Sequence, residues 1–161
     1  MDPDYTADVR RLVEQLAPNT SLCVGPDCET VFGRRPGLVK LAAGTGLLER
    51  LAPLARFDFA FLSRTIEYLE RREAMALLAH LRDCLGGRFS VLVPVGEWPG
   101  HVSHWQEQEM LALGLVRKAI YPRDHGELRL YAYDIAEYKT TPDWFNADYW
   151  AHPERWDKDW W

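Results

Sequence analysis

Near the middle of the chain, Phe57 to Ser63 is apolar throughout except for Asp58 and the closing serine. A strand with one face in water alternates polar and apolar side chains. An unbroken apolar run of this length is a strand covered on both faces. The residues that follow supply a cover. Ala74, Leu77, Leu78, Leu81 and Leu85 recur at helical spacing and form one apolar stripe. Gly86-Gly87 stops that helix. Phe89 to Val95 is a second buried strand. Strand, helix and strand in this order predict a parallel pair joined by a crossover.

The flanking segments extend the same pattern. Tyr5, Val9, Leu12, Val13 and Leu16 share one helical face, and Pro18-Asn19 ends that helix. Ser21 to Val24 reads as a short buried strand that runs into a Gly25-Pro26 turn. Asp27 to Gly37 is polar and reads as mostly loop with one helical turn, and Leu38 to Ala42 as a second short strand. Thr45 caps a helix through Leu47, Leu48, Leu51 and Leu54, disturbed by Pro53. A loop rich in Gly, Pro, Trp and His spans Gly96 to Ser103, and a helix over Trp105 to Leu113 ends at Gly114. Leu115 to Tyr121 and Leu128 to Ile135 form an antiparallel hairpin about the turn Pro122 to Gly126. The expected fold is α/β, a single doubly wound, mostly parallel sheet with this hairpin at one edge. Residues 1–137 form the domain, and residues 138–161 a Trp-rich extension packed on it.

A chain of 161 residues is one domain by size. The formal net charge of −5 argues against nucleic-acid binding, which needs a surplus of Lys and Arg. No apolar run approaches the roughly 20 residues of a membrane helix. The start, MDPDYTADVRR, is acidic and polar, unlike a signal peptide. Cys23, Cys28 and Cys84 are odd in number and show no paired spacing. They read as small core or loop thiols of a reducing compartment, and the expected location is cytoplasmic.

The stretch from Arg56 to Val95 resembles the second half of a class I S-adenosylmethionine-dependent methyltransferase. That family has an Asp opening its fourth strand, a polar residue at the strand's end and a short acidic-aromatic stretch. Asp58, Ser63 and Ile66-Glu67-Tyr68-Leu69 match these. Gly86, Gly87 and Pro94 match its next turn and strand, and Trp105 to Ile135 its last elements. The resemblance spans Leu12 to Ile135 and implies a Rossmann-like sheet. The first half departs from the pattern. In the cofactor loop, LCVGPDCE, Cys23 takes an acidic position, Gly25 remains, and Asp27 and Glu29 replace two glycines. Side chains there fill the space that lets a ligand approach backbone. Their charge repels the methionyl carboxylate and attracts its ammonium or sulfonium. No Asp or Glu lies between Glu29 and Glu49, where many relatives hold the ribose hydroxyls. The link from Gly25 to Asp58 is short, so the third strand is expected to be lost and the sheet reduced. Through its ending, Tyr138 to Lys158, the whole chain also resembles a bacterial family of unknown function within this superfamily.

The resemblance implies S-adenosylmethionine as cofactor and methyl transfer to an acceptor it does not name. It places the cofactor at Gly25, Pro26, Asp27, Ser63 and Arg64, at the carboxyl ends of strands. The plain alternative for Gly25-Pro26-Asp27 is an ordinary turn. Glu67 or Tyr68 is the candidate general base. The alternative is an i, i+3 surface pair of Arg64 with Glu67, and a Tyr68 packed on the sheet. His101 and His104 are candidates for lining the substrate or moving protons, against a plain reading as loop histidines before a helix. No HExxH or cysteine pair accompanies them, so no metal is expected. Gly44-Thr45-Gly46 lacks the Lys and the spacing of a phosphate loop.

The ending holds Tyr138, Trp144, Phe145, Tyr149, Trp150, Trp156, Trp160 and Trp161. It is expected either to wrap back onto the domain or to dock a protein partner or a second copy of the chain. Its net acidity disfavours stacking on nucleic acid. Two functional readings result: a divergent methyltransferase or cofactor binder, and a non-catalytic relative acting as an interaction or dimerisation module through the aromatic ending. A third, an enzyme of another class built on His101 and His104, lacks a nucleophile or metal set to complete it.

Overall fold

A computed structural model describes residues 4–138. Its first helix, α1 (Tyr5–Leu16), starts where the Asp4 carboxylate accepts the Thr6 amide at 2.9 Å. Four parallel strands follow with their helices: β1 (Ser21–Val24), α2 (Cys28–Phe32), β2 (Leu38–Leu41), α3 (Leu47–Leu51), β3 (Phe59–Leu62), α4 (Arg71–Asp83) and β4 (Arg88–Val95). The described residues end with α5 (Glu107–Ala112), β5 (Val116–Arg123), β6 (Gly126–Asp134) and α6 (Ile135–Tyr138). Among the described residues the sheet has six strands in the order β2-β1-β3-β4-β6-β5.

Alternation along the strands divides the core in two. Leu22, Val24, Ala60, Leu62, Val91 and Val93 face α3, α4 and α5. Cys23, Phe59, Phe61 and Leu92 face α1 and α2. The sheet is thus covered on both sides, as the apolar run at Phe57 requires.

Details differ from the sequence reading for local reasons. The run from Phe57 enters the sheet only at Phe59, because Asp58 is used at its entrance. The Asp58 carboxylate accepts the Asn19 and Thr20 amides at 2.9 and 3.1 Å, tying the start of β3 to the start of β1. In agreement with the short link from Gly25 to Asp58, no strand lies between β2 and β3 in sequence among the described residues, and β2 is an edge of the sheet they form. The hairpin is not a simple appendage. β6 lies between β4 and β5, antiparallel to both, and only β5 is at the edge. Trp105 precedes α5 and bridges to Val95 and Gly96 as a fully buried residue.

The cysteines correct the expectation of unpaired thiols. Cys23 on β1 and Cys28 in the first turn of α2 form a disulfide, while Cys84 is free and exposed rather than in the core. Spacing alone missed the pair because the turn Gly25-Pro26-Asp27 folds the start of α2 back onto the end of β1. The thiol count therefore no longer speaks for a reducing compartment. No helix among the described residues is long and apolar enough to cross a membrane. The residues after Tyr138, and with them both expectations for the aromatic ending, lie outside the described residues.

Candidate functional site

The carboxyl ends of β1, β3 and β4 form one rim of the sheet. Two regions lie on it. The first is the loop Gly25-Pro26-Asp27. Gly25 has φ +112°, and a Cβ there would overlap the Ser63 carbonyl oxygen. The glycine is demanded by the close approach of β1 to β3, with the Ser63 amide bonded to the Val24 carbonyl at 3.0 Å. Asp27 accepts the Tyr5 hydroxyl at 3.1 Å. Burial, and then the Asp27 carboxylate, hold the Tyr5 phenol above its ordinary value. Glu29 points away from the loop to Lys40 on β2, at 3.1 Å. The Cys23–Cys28 bond closes the loop from behind. Ser63 is fully buried, and its Oγ has no hydrogen-bond partner.

The second region starts at Arg64, a non-glycine residue at φ +45°. That turn throws the chain into a 3-10 turn, Ile66–Tyr68, over the end of β4. The Glu67 carbonyl accepts the amides of Val102 and Ser103 at 2.8 and 3.1 Å. Ser103 Oγ donates to the Ile66 carbonyl at 2.9 Å and accepts the Trp105 indole N–H at 2.9 Å. The loop after β4 is thereby pinned against the turn after β3. Trp105 anchors it, and the Arg71 guanidinium lies 4.9 Å over its ring.

Between the two pinned segments is a cavity of about 340 Å³. Leu92, Pro94 and Leu128 are part of its lining. Trp98, His101 and Tyr68 contribute rings. Trp98 stacks on His101 at 5.8 Å and 9°, and Tyr68 meets His101 edge-on at 5.3 Å. Glu67 lines the same cavity, is 3% exposed, and has no partner for Oε2. Burial raises its carboxyl to about 7, against backbone hydrogen bonds from Glu67 and Thr65 and the charge of Arg64, which pull it down. Burial, and then the charge of His104, hold the His101 imidazole below its ordinary value. A carboxyl that sheds its proton near neutrality and an imidazole held toward its neutral form can both serve proton transfer.

The structure brings together Arg64, Glu67, Tyr68 and His101. His104 faces elsewhere, with Nδ1 taking the Trp98 amide at 3.4 Å and its carbonyl taking Arg71. Gly25, Pro26 and Asp27 belong to the neighbouring loop. The plain alternatives for the second region do not hold. Glu67 is buried rather than paired on the surface, and Tyr68 is 48% exposed rather than packed on the sheet. Sequence reading did not single out Trp98, Arg123, Asp124 or His125, which also line the cavity. The last three sit at the end of β5 and in the turn that follows it, a stretch read only as a hairpin turn. They reach this rim because β6 runs antiparallel to β4, pairing Glu127 with Val95. Among the described residues no group of three or more His, Cys, Asp or Glu side chains converges as a metal site would.

The chain belongs to a family described as Family of unknown function (DUF6231), whose model matches residues 3–161. No curated protein matches it by sequence. Several solved structures of methyltransferases share its fold. The methyltransferase domain of bacterial CtHen1 aligns with a TM-score of 0.54 at 11% identity, over 81% of this chain and 97% of that one. Magnesium protoporphyrin IX methyltransferase from Synechocystis PCC 6803, solved with bound S-adenosylhomocysteine, gives 0.52 at 12% identity, over 81% and 83%. The 1,6-didemethyltoxoflavin N1-methyltransferase of Burkholderia thailandensis, with its substrate and S-adenosylhomocysteine bound, gives 0.54 at 17%, over 80% and 77%. At these identities the likeness is one of fold.

Proposed function

We propose that this member of a family of unknown function, built on the methyltransferase fold, binds S-adenosylmethionine at the Gly25 loop and transfers its methyl to an acceptor held beside Glu67. The observation that carries the reading is the buried Glu67, with its Oε2 unpartnered, in the lining of a ring-lined cavity on the same rim as that loop. The loop fits the amino-acid end of the cofactor. Asp27 offers a carboxylate to the methionyl ammonium, and the orphaned Ser63 Oγ lies beside Gly25. It does not supply the usual ribose partner, since Ala42-Ala43-Gly44-Thr45 follows β2 without a carboxylate. When bound, the cofactor supplies a methyl on a sulfonium and leaves as a neutral thioether. Glu67 takes the proton that the acceptor sheds. The pinned loop carrying Trp98 and His101 keeps water from that carboxyl and orients the acceptor.

Isothermal titration with S-adenosylmethionine and S-adenosylhomocysteine tests this. Binding in the micromolar range is expected, weakened in Asp27→Ala and unaltered in Glu29→Gln. No heat at high micromolar ligand overturns it. One observation favours a second reading: Asp27 is already engaged by Tyr5, and the loop is closed by its own contacts. On that reading the fold is a scaffold without catalysis, and the aromatic ending docks a partner or a second copy. Comparing the sizes of the full chain and a version ending at Ile135 separates the two. A folded truncation that loses self-association supports the scaffold.

A further inference from the structure

From the lining of the cavity at Glu67 we infer the class of acceptor: a small planar aromatic molecule of one or two rings that presents an O–H or a ring N–H. The inference rests on the methyl-transfer reading for its chemistry, though not for its geometry. Size sets the first limit. A cavity of about 340 Å³ is at the small end of ligand pockets and suits one or two fused rings.

Shape sets the second. The Trp98 and His101 rings stack nearly parallel in the lining and form an aromatic wall, and Tyr68 meets His101 edge-on. Aromatic ligands gain offset and edge contacts from such a wall that aliphatic ones lack. The wall is fixed before any ligand arrives. The Trp98 indole donates to the Val95 carbonyl at 3.1 Å. Gly126 faces the same indole, and a Cβ there would stand only 3.3 Å from its Nε1, so the glycine keeps the hairpin turn clear of the ring.

Polarity sets the third. Glu67 Oε2 is buried without a partner. A ligand without a donor would leave it so, while one offering O–H or N–H completes the pair. A site with an unmet acceptor rejects an analogue that lacks the donor far more strongly than an apolar wall rejects a change of shape. The donor that Glu67 selects is also the one whose proton it removes.

The test uses the full chain without cofactor, so that it is separate from the cofactor titration. The probes are 4-quinolone, 1-methyl-4-quinolone, cyclohexanol and N-acetyltyrosinamide, followed by saturation-transfer NMR and titration calorimetry. 4-Quinolone should bind, the N-methylated form at least tenfold more weakly, and cyclohexanol not at all. Trp98→Ala and, separately, His101→Ala should weaken 4-quinolone about tenfold with circular dichroism unchanged. Glu67→Leu should erase the difference between the two quinolones. Absence of 4-quinolone binding, equal binding of both quinolones by the unaltered chain, or preference for N-acetyltyrosinamide overturns the inference. If 4-quinolone binds as described but S-adenosylmethionine gives no heat, the acceptor class stands and the methyl-transfer reading falls.

Discussion

The two regions on the sheet rim are built from similar residues and left in opposite states. At the Gly25 loop most polar groups are already engaged: Asp27 by Tyr5, Glu29 by Lys40, and Cys23 by Cys28. At the Glu67 cavity a carboxyl is buried with its Oε2 left unmet, among rings held in place by other bonds. A fold completes its structural polar groups internally. One that it leaves incomplete at a concave surface marks where something else is to bind. The methyltransferase resemblance pointed first to the loop, while the physical asymmetry points to the cavity.

Four perturbations break or sharpen this contrast. Gly25→Ala should have the largest effect, because the new Cβ overlaps the Ser63 carbonyl between two central strands. A loss above about 4 kcal/mol, read as a collapse of the melting temperature, is expected. An unchanged melting temperature would mean the loop is open rather than packed.

Glu67→Gln should stabilise, and only at higher pH. An unfolded Glu ionises near 4.3. In the fold the carboxyl holds its proton up to about 7. Between those values the folded state carries a proton that the unfolded chain has lost. Stability is therefore full below that window, falls as pH rises through it, and stays low above it. The glutamine variant lacks this loss and should exceed the unaltered chain by roughly 3 kcal/mol at pH 8 and match it at pH 4. Urea denaturation at both values reads the difference. Equal stability at both would show that Glu67 is paired or wet.

A reductant should cost less. The Cys23–Cys28 bond spans a sequence separation of 5, and closing so short a loop is worth roughly 2 kcal/mol. The denaturation midpoint should drop by the corresponding amount with the disulfide reduced, while binding of 4-quinolone at the other region is unchanged. The smallest effect belongs to Glu29→Ala. Its ion pair with Lys40 is exposed and worth under about 1 kcal/mol in thermal melts.

The alternation of buried runs and helical stripes carried the sheet, its two covered faces and the shortened connection before β3. Those features depend on local periodicity, which a sequence displays directly. The position of β6 was not readable, because a hairpin's pattern does not state which neighbour it pairs with. That one pairing brings the β5–β6 turn to the rim, so Arg123, Asp124 and His125 were invisible as site residues. Glu67 and Tyr68 were found through family resemblance, but their states were not. Burial of one and exposure of the other follow from the 3-10 turn after Arg64, and no composition rule predicts it. Asp58, a marker of the strand in the resemblance, accepts two backbone amides, and Asp27, placed at the cofactor loop, accepts the Tyr5 hydroxyl; neither bond is legible in the sequence.

The loop opposite Glu67 is fastened by that residue's carbonyl and not by its carboxyl. Anchorage and the proposed chemistry thus reside in different atoms of one residue. Replacing the side chain exchanges the group proposed to take the proton without removing the bonds that fasten that loop. Position 67 is therefore a socket: single substitutions can retune which ligand is accepted, step by step, while the architecture around it stays put.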